Sequence, residues 1–416
     1  ELAKEYARFF EGCDLAGFNI LKFDVPMLVE EFLRADVEFD YSRKKLIDAQ
    51  KIFHLMEKRS LSAAFKFYCN KEMTGYHANN VTLQRTEQDE MRERRDNGRI
   101  RLRNGLTNAG HPLPKESSSQ GSYAMRTMVQ DDQCDYDIDD GVYFEKDDLK
   151  TDGGTHLTAK EARTRVRTAL KDGRLAYDAQ VKTNCVRQKY PAGYHIDIPV
   201  YRIIRSTDFW GNKIVEYELA SGAEWVQSDP RAVTKWYNNA IGQELKTGQA
   251  DYSQTRRLTK LTKKFARSRT IWKGQTTSGI CISKLVVDYI VTNTGRDDDA
   301  LRDTWKAIKA RLDIVFQIDH PVFLGKKLAE SNDESVRFFR DCLAEALKKL
   351  EVLDEPGCTR EKALKAWDSV FNTCYFSGQL STSQTATNSL LQSAAVTKGL
   401  TFPDKPIIPN KSSGFA

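Results

Sequence analysis

The chain has 416 residues, of which 40% are hydrophobic, and its 64 Lys and Arg against 58 Asp and Glu leave a formal net charge of +6. That length supports two or three domains, each burying its own core, and the hydrophobic content excludes a disordered chain. The interspersed charge excludes a polybasic tail or a broad nucleic-acid stripe, and neither an N-terminal signal pattern nor an apolar run of membrane-spanning length is present, so the expectation is a cytoplasmic protein with no membrane partner.

Residues 1–79 read as a separate unit. In LAGFNILKFDVPMLVEEF, the run Gly-x-Asn-x-x-x-Phe-Asp-x-Pro resembles the second motif of DnaQ-like (DEDD) 3′–5′ exonucleases. The resemblance makes Asp24 the metal-binding acid of that motif. DAQKIFHLMEKRSLSAAFKFYCNKEMTGYHA continues the likeness, with His77 where the third motif places its general-base histidine. The pattern then breaks, because Thr82 stands where the family needs an Asp, and only ELAKEYARFFEGCD precedes Asn19, with no D-x-E strand. Cleavage by two cations needs the full set of acids. This part is therefore expected to be an incomplete, inactive RNase H-like α/β fragment, poorly stable unless packed on the next domain.

From Val81, VTLQRTEQDEMRERRDNGRIRLRNGL predicts a long polar helix, stopped by NAGHPLP, with a sparse apolar stripe of Met91, Ile100, Leu102 and Leu106. QGSYAMRTMVQDDQCDYDIDDGVYF follows, with Gly121 and Ser122 opening a predicted helix over GSYAMRTMV ahead of six aspartates. Unpaired carboxylates repel, so such a run is either solvated or built around a divalent cation. The alternation of Asp135, Asp137 and Asp139 with Tyr136 and Ile138 favours the second reading, because on a strand those acids share one face. Spacing alone does not separate a pair of Asp137 with Asp139 from a pair of Asp135 with Asp137.

LTAKEARTRVRTALKDG predicts a helix ended by Gly173, and AGYHIDIPVYR carries Asp197 on a second alternating strand. Three strand-borne carboxylates supply the hard oxygen ligands of a pair of magnesium ions, leaving positions open for phosphate oxygens. A Gly-Ser turn at a helix start adds backbone N–H groups and a hydroxyl for a triphosphate. The combination signals a nucleotidyltransferase of polymerase-β type. YRIIRSTDFWGNKIVEYELA predicts a hairpin turning at Phe209 to Asn212.

At GSYAMRTMV, DIDDGVYF and AGYHIDIPVYR the chain resembles the bacterial cGAS/DncV-like nucleotidyltransferases (CD-NTases), and the likeness runs from about Val81 to the C-terminus. The resemblance implies an enzyme that joins nucleoside triphosphates such as ATP and GTP into a cyclic di- or trinucleotide, a second messenger that switches on an antiphage (CBASS) effector. Carried over, Gly121 and Ser122 form the donor-phosphate turn. Asp137 and Asp139 hold two Mg2+, with Mn2+ as a substitute, and Asp197 is the third metal-site acid, next to the attacking hydroxyl. Asp135 and Asp140 are not core positions of that pattern. The resemblance also makes the long polar helix a spine bridging two lobes.

In RRLTKLTKKFARSRTIWKGQTTSGICISKLV, helical geometry puts Arg256, Lys260, Lys263 and Arg267 in one stripe, with Leu258, Leu261 and Phe265 opposite and Lys264 off the stripe. By itself such a stripe reads equally as a solvated basic face on a packed helix or as a ligand-binding one. In the family a lysine of this helix and a serine at the start of the next contact the donor triphosphate, and the stripe and the TSG sequence select Lys263 and Ser278. The eight cysteines show no C-x-x-C pair or Cys/His cluster of zinc spacing. The zinc-bound insertion of DNA-sensing animal relatives therefore cannot be built, and no direct DNA sensing is expected.

Helical patterns dominate from Pro230 to Phe376, with Trp236, Trp305 and Trp367 read as core and His195 and His320 as structural histidines. After Phe376 the composition shifts to Ser, Thr, Gln and Ala, ending in FPDKPIIPNKSSGFA, an exposed tail. The resemblance makes its last residue, Ala416, a site for conjugation by an E1/E2-like ligase. The whole reads as an α+β protein: an exonuclease fragment (1–79), a polymerase-β-type sheet lobe with its spine helix (80–225), a helical lobe (226–376) and a tail (377–416). Two other readings use the same acids: an enzyme that tails RNA ends, and a silent nucleotide-binding scaffold.

Overall fold

The computed structural model describes residues 2–17, 19–41, 44–48, 72–131, 137–242, 253–293 and 296–380. Asp135, the exonuclease-like stretch 49–71 and the tail with Ala416 lie outside the described residues. The chain divides into two compact units, one of residues 1–69 with 351–363 and one of 70–350 with 364–416.

In the first unit, helix α1 (Leu2–Phe9) leads to strand β1 (Leu15–Gly17), helix α2 (Asp24–Arg34) and strand β2 (Leu46–Asp48), which pairs parallel to β1. Its small core is Leu15, Ile20 and Val25, with Phe32 also buried. Asp24 opens α2, and Asp48 accepts a hydrogen bond from the Asn19 amide at 2.9 Å.

The second unit starts earlier than residue 80. Tyr76 is buried against Phe371 and Phe376, ring centroids 4.9 and 4.8 Å away, so residues 72–81, including His77, fold with this unit. The polar helix α3 (Arg85–Asn108) starts at a capping box between Gln84 and Glu87. It buries Met91, Leu102 and Leu106, whereas Ile100 of the expected stripe is 56% exposed.

Strand β3 (Glu116–Gln120) runs antiparallel to the central strand β4 (Asp137–Glu145), and between them the expected helix over GSYAMRTMV shrinks to the single turn α4 (Gly121–Ala124). Arg126 at φ +55° ends it, and the chain then crosses to a bridge between Thr82 and Val129. Helix α5 (Ala159–Ala169), capped by Thr158 and Glu161, covers the sheet. The short strands β5 (Gln180–Val181) and β6 (Val186–Lys189) lead to β7 (His195–Ile198) and β8 (Val200–Thr207), which both lie parallel to β4 in one continuous register across Pro199. β8 turns through residues 208–212 into β9 (Lys213–Ser221), the expected hairpin, and β10 (Glu224–Gln227) closes that edge.

The helical part follows: α6 (Pro230–Gly242), α7 (Gln254–Ala266), α8 (Gly279–Tyr289), α9 (Asp297–Leu312) and α10 (Glu334–Lys349). Trp305 and Trp367 are fully buried, as read from their spacing, and Trp236 packs half-buried beside Tyr237 and Ile241. Among the described residues no helix is long and apolar enough to cross a membrane.

Candidate active site

On β4 the side chains alternate, so Asp137 and Asp139 face one way while Ile138 and Asp140 face the other. Asp140 is buried and takes two charge-assisted bonds from Arg99 of α3, at 2.7 and 2.5 Å, plus one from Ser119 Oγ at 3.1 Å. This acid ties the polar helix to the sheet and is unavailable to a cation on the other face.

Strand register assembles the rest. Asp139 stands opposite Asp197 on β7, and Asp197 stands opposite Arg187 on β6. One rung down, Asp137 stands opposite His195. Asp197 is 5% exposed and is held by Arg187, whose Nε and Nη2 donate to its two oxygens at 2.8 and 2.7 Å. His195 Nε2 lies 3.9 Å from an oxygen of Asp137 and 3.9 Å from one of Asp197. One ligand atom each from Asp137, His195 and Asp197 thus fall within 4.8 Å of one another, a set that could hold a metal ion. The histidine read as merely structural belongs to that set.

Asp139 shows the strain of this arrangement. Burial first, then the charges of Asp137 and Asp197, push its carboxyl well above the usual carboxylate range, and Arg187 offsets only part of this. A divalent cation among the three acids would remove the repulsion, so the donor set fits one. Asp139 Oδ2 also packs on the Gly-Ser turn: Gly121 has φ +64°, and a Cβ there would lie 2.3 Å from that oxygen. Only glycine permits the turn and the acid to approach so closely.

Facing the sheet, α7 is buried nearly all round. Arg256, Lys260 and Lys263 are each at most 8% exposed, which corrects the reading of a solvated basic face. The cations are absorbed by the surrounding packing: Arg256 Nε donates to the Met125 carbonyl at 3.3 Å. Lys263 Nζ donates to Thr127 Oγ1 at 2.8 Å. Burial, reinforced by Arg267, lowers its ammonium to about 7. Ser278 caps α8 by accepting from the Cys281 amide at 3.4 Å.

A cleft of about 350 Å3 collects Gly121, Ser122, Asp137, Asp139, Lys263 and Ser278 on its walls. Asp197 is not among them and sits behind, on Arg187. Thr127, Asp229, Arg267 and His320 also line the cleft. Of these only Arg267 had a signal in the sequence, its place on the stripe. His320 serves the local turn, its Nδ1 accepting from the amides of Val322 and Phe323 at 3.1 Å each. Two carboxylates beside a glycine-opened turn, opposite a buried lysine and a helix-capping serine, can bind a metal-bearing polyphosphate and orient its chain.

Comparison with known proteins agrees with this geometry. Residues 116–201 match the family model described as the nucleotidyltransferase domain of cyclic GMP-AMP synthase DncV-like proteins. A cyclic AMP-AMP-AMP synthase from an Acinetobacter species is 28% identical over 266 residues, covering 60% of this chain and 71% of that protein. A cyclic GMP-AMP synthase from Escherichia albertii is 24% identical over 249 residues, covering 57% of this chain and 49% of that one. Among solved structures, Escherichia coli DncV in its 3′-deoxy-GTP-bound form superposes with a TM-score of 0.54 at 18% identity, over 71% of this chain and 95% of that chain. The homologues are cyclic oligonucleotide synthases, and the sheet with its helices has the DncV nucleotidyltransferase fold.

Proposed function

We propose that the chain is a divalent-cation-dependent nucleotidyltransferase that joins nucleoside triphosphates into a cyclic di- or trinucleotide second messenger of antiphage defence. The observation that carries this reading is the packing of Asp139 on Gly121 in a cleft that also holds Lys263 and Ser278. Asp137, Asp139 and Asp197 would hold Mg2+ or Mn2+; two of these acids, Asp137 and Asp197, already converge with His195. When bound, the cations supply charge neutralisation for attacking and leaving oxygens. The chain's own residues supply the rest. Ser122, Lys263 and Ser278 bind and orient the donor phosphates, and Lys263 carries positive charge to the oxygens on which charge develops. Arg187 fixes the orientation of Asp197, the acid that would stand nearest the acceptor hydroxyl and take its proton.

Residues 1–79 would be an inactive remnant of a DnaQ-like exonuclease, and Ala416 the point of attachment for an E1/E2-like ligase. The test is incubation of the purified protein with labelled ATP, GTP, CTP and UTP and Mg2+, followed by phosphatase and mass analysis. A phosphatase-resistant product of cyclic mass is expected, absent in Asp137→Ala/Asp139→Ala. Extension of an added RNA end without any such product would replace cyclisation by tailing.

A further inference from the structure

The neighbouring residues Lys263 and Lys264 serve two different cavities. At about 100° per residue they leave α7 in different directions, Lys263 into the cleft and Lys264 into a second cavity of about 560 Å3. This second cavity is bounded by the 267–276 loop, by residues 130–131 before the acid strand, and by residues 371–373. Its size lies within the range of small-ligand sites.

Its walls are strongly cationic. Lys264, Arg267, Arg269 and Lys273 line it, against Asp131 as the one acid among the described residues there. Hydroxyls and amides complete the lining, among them Thr270 and Asn372. Arg269 is rigidly placed: its guanidinium donates to the carbonyls of Ser369 and Val370 at 2.6 and 3.1 Å and stacks 4.3 Å from the Trp272 ring. Lys264 Nζ donates to the Gln130 carbonyl at 3.1 Å, which fixes its position at the wall, and a lining of this sign favours a multivalent anion. The planar fork of Arg267 suits phosphate oxygens, Arg269 adds a positive charge at a fixed place, and the hydroxyls add neutral donors. Arg267 lines both this cavity and the catalytic cleft.

We propose that this cavity is a second anion site, which takes a phosphate-bearing ligand of nucleotide size and communicates its occupancy to the catalytic cleft through Arg267. The ligand is recognised by its phosphates, whether inorganic or nucleotide-borne. Bound there, it competes for the one arginine that both cavities share, so its occupancy alters how the cleft holds its own polyphosphate.

The test is calorimetric titration of the intact protein, without divalent cation, using inorganic pyrophosphate in one arm and ATP in the other. The variants are Lys273→Glu, at an exposed position, Lys264→Gln/Lys273→Gln, and Lys263→Met as the cleft control, each checked for an unchanged melting midpoint. Wild-type protein is expected to take up two equivalents of anion. The Lys264 and Lys273 variants should lose one of them, with affinity at that site falling roughly tenfold or more for each charge contact removed, whereas Lys263→Met should weaken only the other. Equal affinity for the two probes makes the ligand a bare phosphate chain, and tighter ATP binding makes it a nucleotide. A single equivalent in wild type, left unchanged by the Lys264 and Lys273 variants, overturns the proposal. This outcome is distinct from the fate of the cyclase reading, because no turnover is measured.

Discussion

Gly121 cannot be exchanged for any side chain without moving Asp139. Its φ of +64° costs an L-residue about 1–2 kcal/mol, and the added Cβ would meet Asp139 Oδ2 at 2.3 Å. Gly121→Ala is expected to leave the folded state populated and to lower turnover by about 100-fold, the usual consequence of displacing a reacting constellation by an ångström. Turnover near wild type with an unchanged melting midpoint would show that the contact is incidental. Lys263 gives a pH signature. Its folded value of about 7 lies below the ordinary 10.5, so between those values the unfolded chain binds more protons and stability rises with pH. An anion in the cleft favours the ammonium form, so metal-free triphosphate should bind with proton uptake above pH 7. Its affinity should fall by up to about tenfold per pH unit from there. Titrations in two buffers of different ionisation enthalpy measure the uptake, and Lys263→Met should abolish it. Alternation and the helical stripe, both local patterns, made candidates of the acids and of this lysine, and the resemblance chose among them. The pairing of Arg187 with Asp197 was not, since it depends on the register of β6 against β7. The nearness of His195 to Asp137 likewise depends on β4 against β7.

At the scale of elements, β4 separates its two faces: Asp137 and Asp139 line the cleft on one, and Asp140 ties the sheet to α3 on the other. Removing Asp140 leaves Arg99 without its counter-ion against the sheet. Because Arg99 remains 31% exposed, the cost should be below that of a fully buried pair, about 2–3 kcal/mol for Asp140→Ala. Asp140→Asn, which keeps acceptor geometry, should cost less. Urea denaturation measures both, and an equal loss in the two variants would mean that the charge itself carries the interaction. The acidic run displayed six aspartates but not this division, because only strand position tells the two faces apart. The α7 stripe was legible in period and misleading in exposure: four cations suggest solvent, yet three of them are packed away by residues distant in sequence. The turn at Gly121 shows the reverse limit. GSYAMRTMV favours helix locally, and the left-handed Arg126 ends it after one turn to send the chain toward Thr82.

At the scale of the whole molecule, the chain forms two compact units, and the first takes in residues 1–69 with 351–363 where the motifs set it at 1–79. Tyr76 explains the difference, since its partners Phe371 and Phe376 lie nearly a chain length away and no local pattern announces them. The sheet lobe rests on a large apolar cluster drawn from residues between Leu83 and Ala220, the first unit on the small set of Leu15, Ile20, Val25 and Phe32. Unequal cores should unfold separately. Scanning calorimetry of the intact protein is expected to give two transitions. Phe32→Ala, which removes a ring 4.7 Å from that of Phe39, should cost about 3–5 kcal/mol and abolish the lower transition alone. A non-hydrolysable triphosphate with Mg2+ should raise only the upper one, by about 2.7 kcal/mol at a hundredfold excess over Kd. If Phe32→Ala and the nucleotide both shift one shared transition, the two units fold as a single cooperative body, and the first unit then contributes to the stability of the cleft that it does not line.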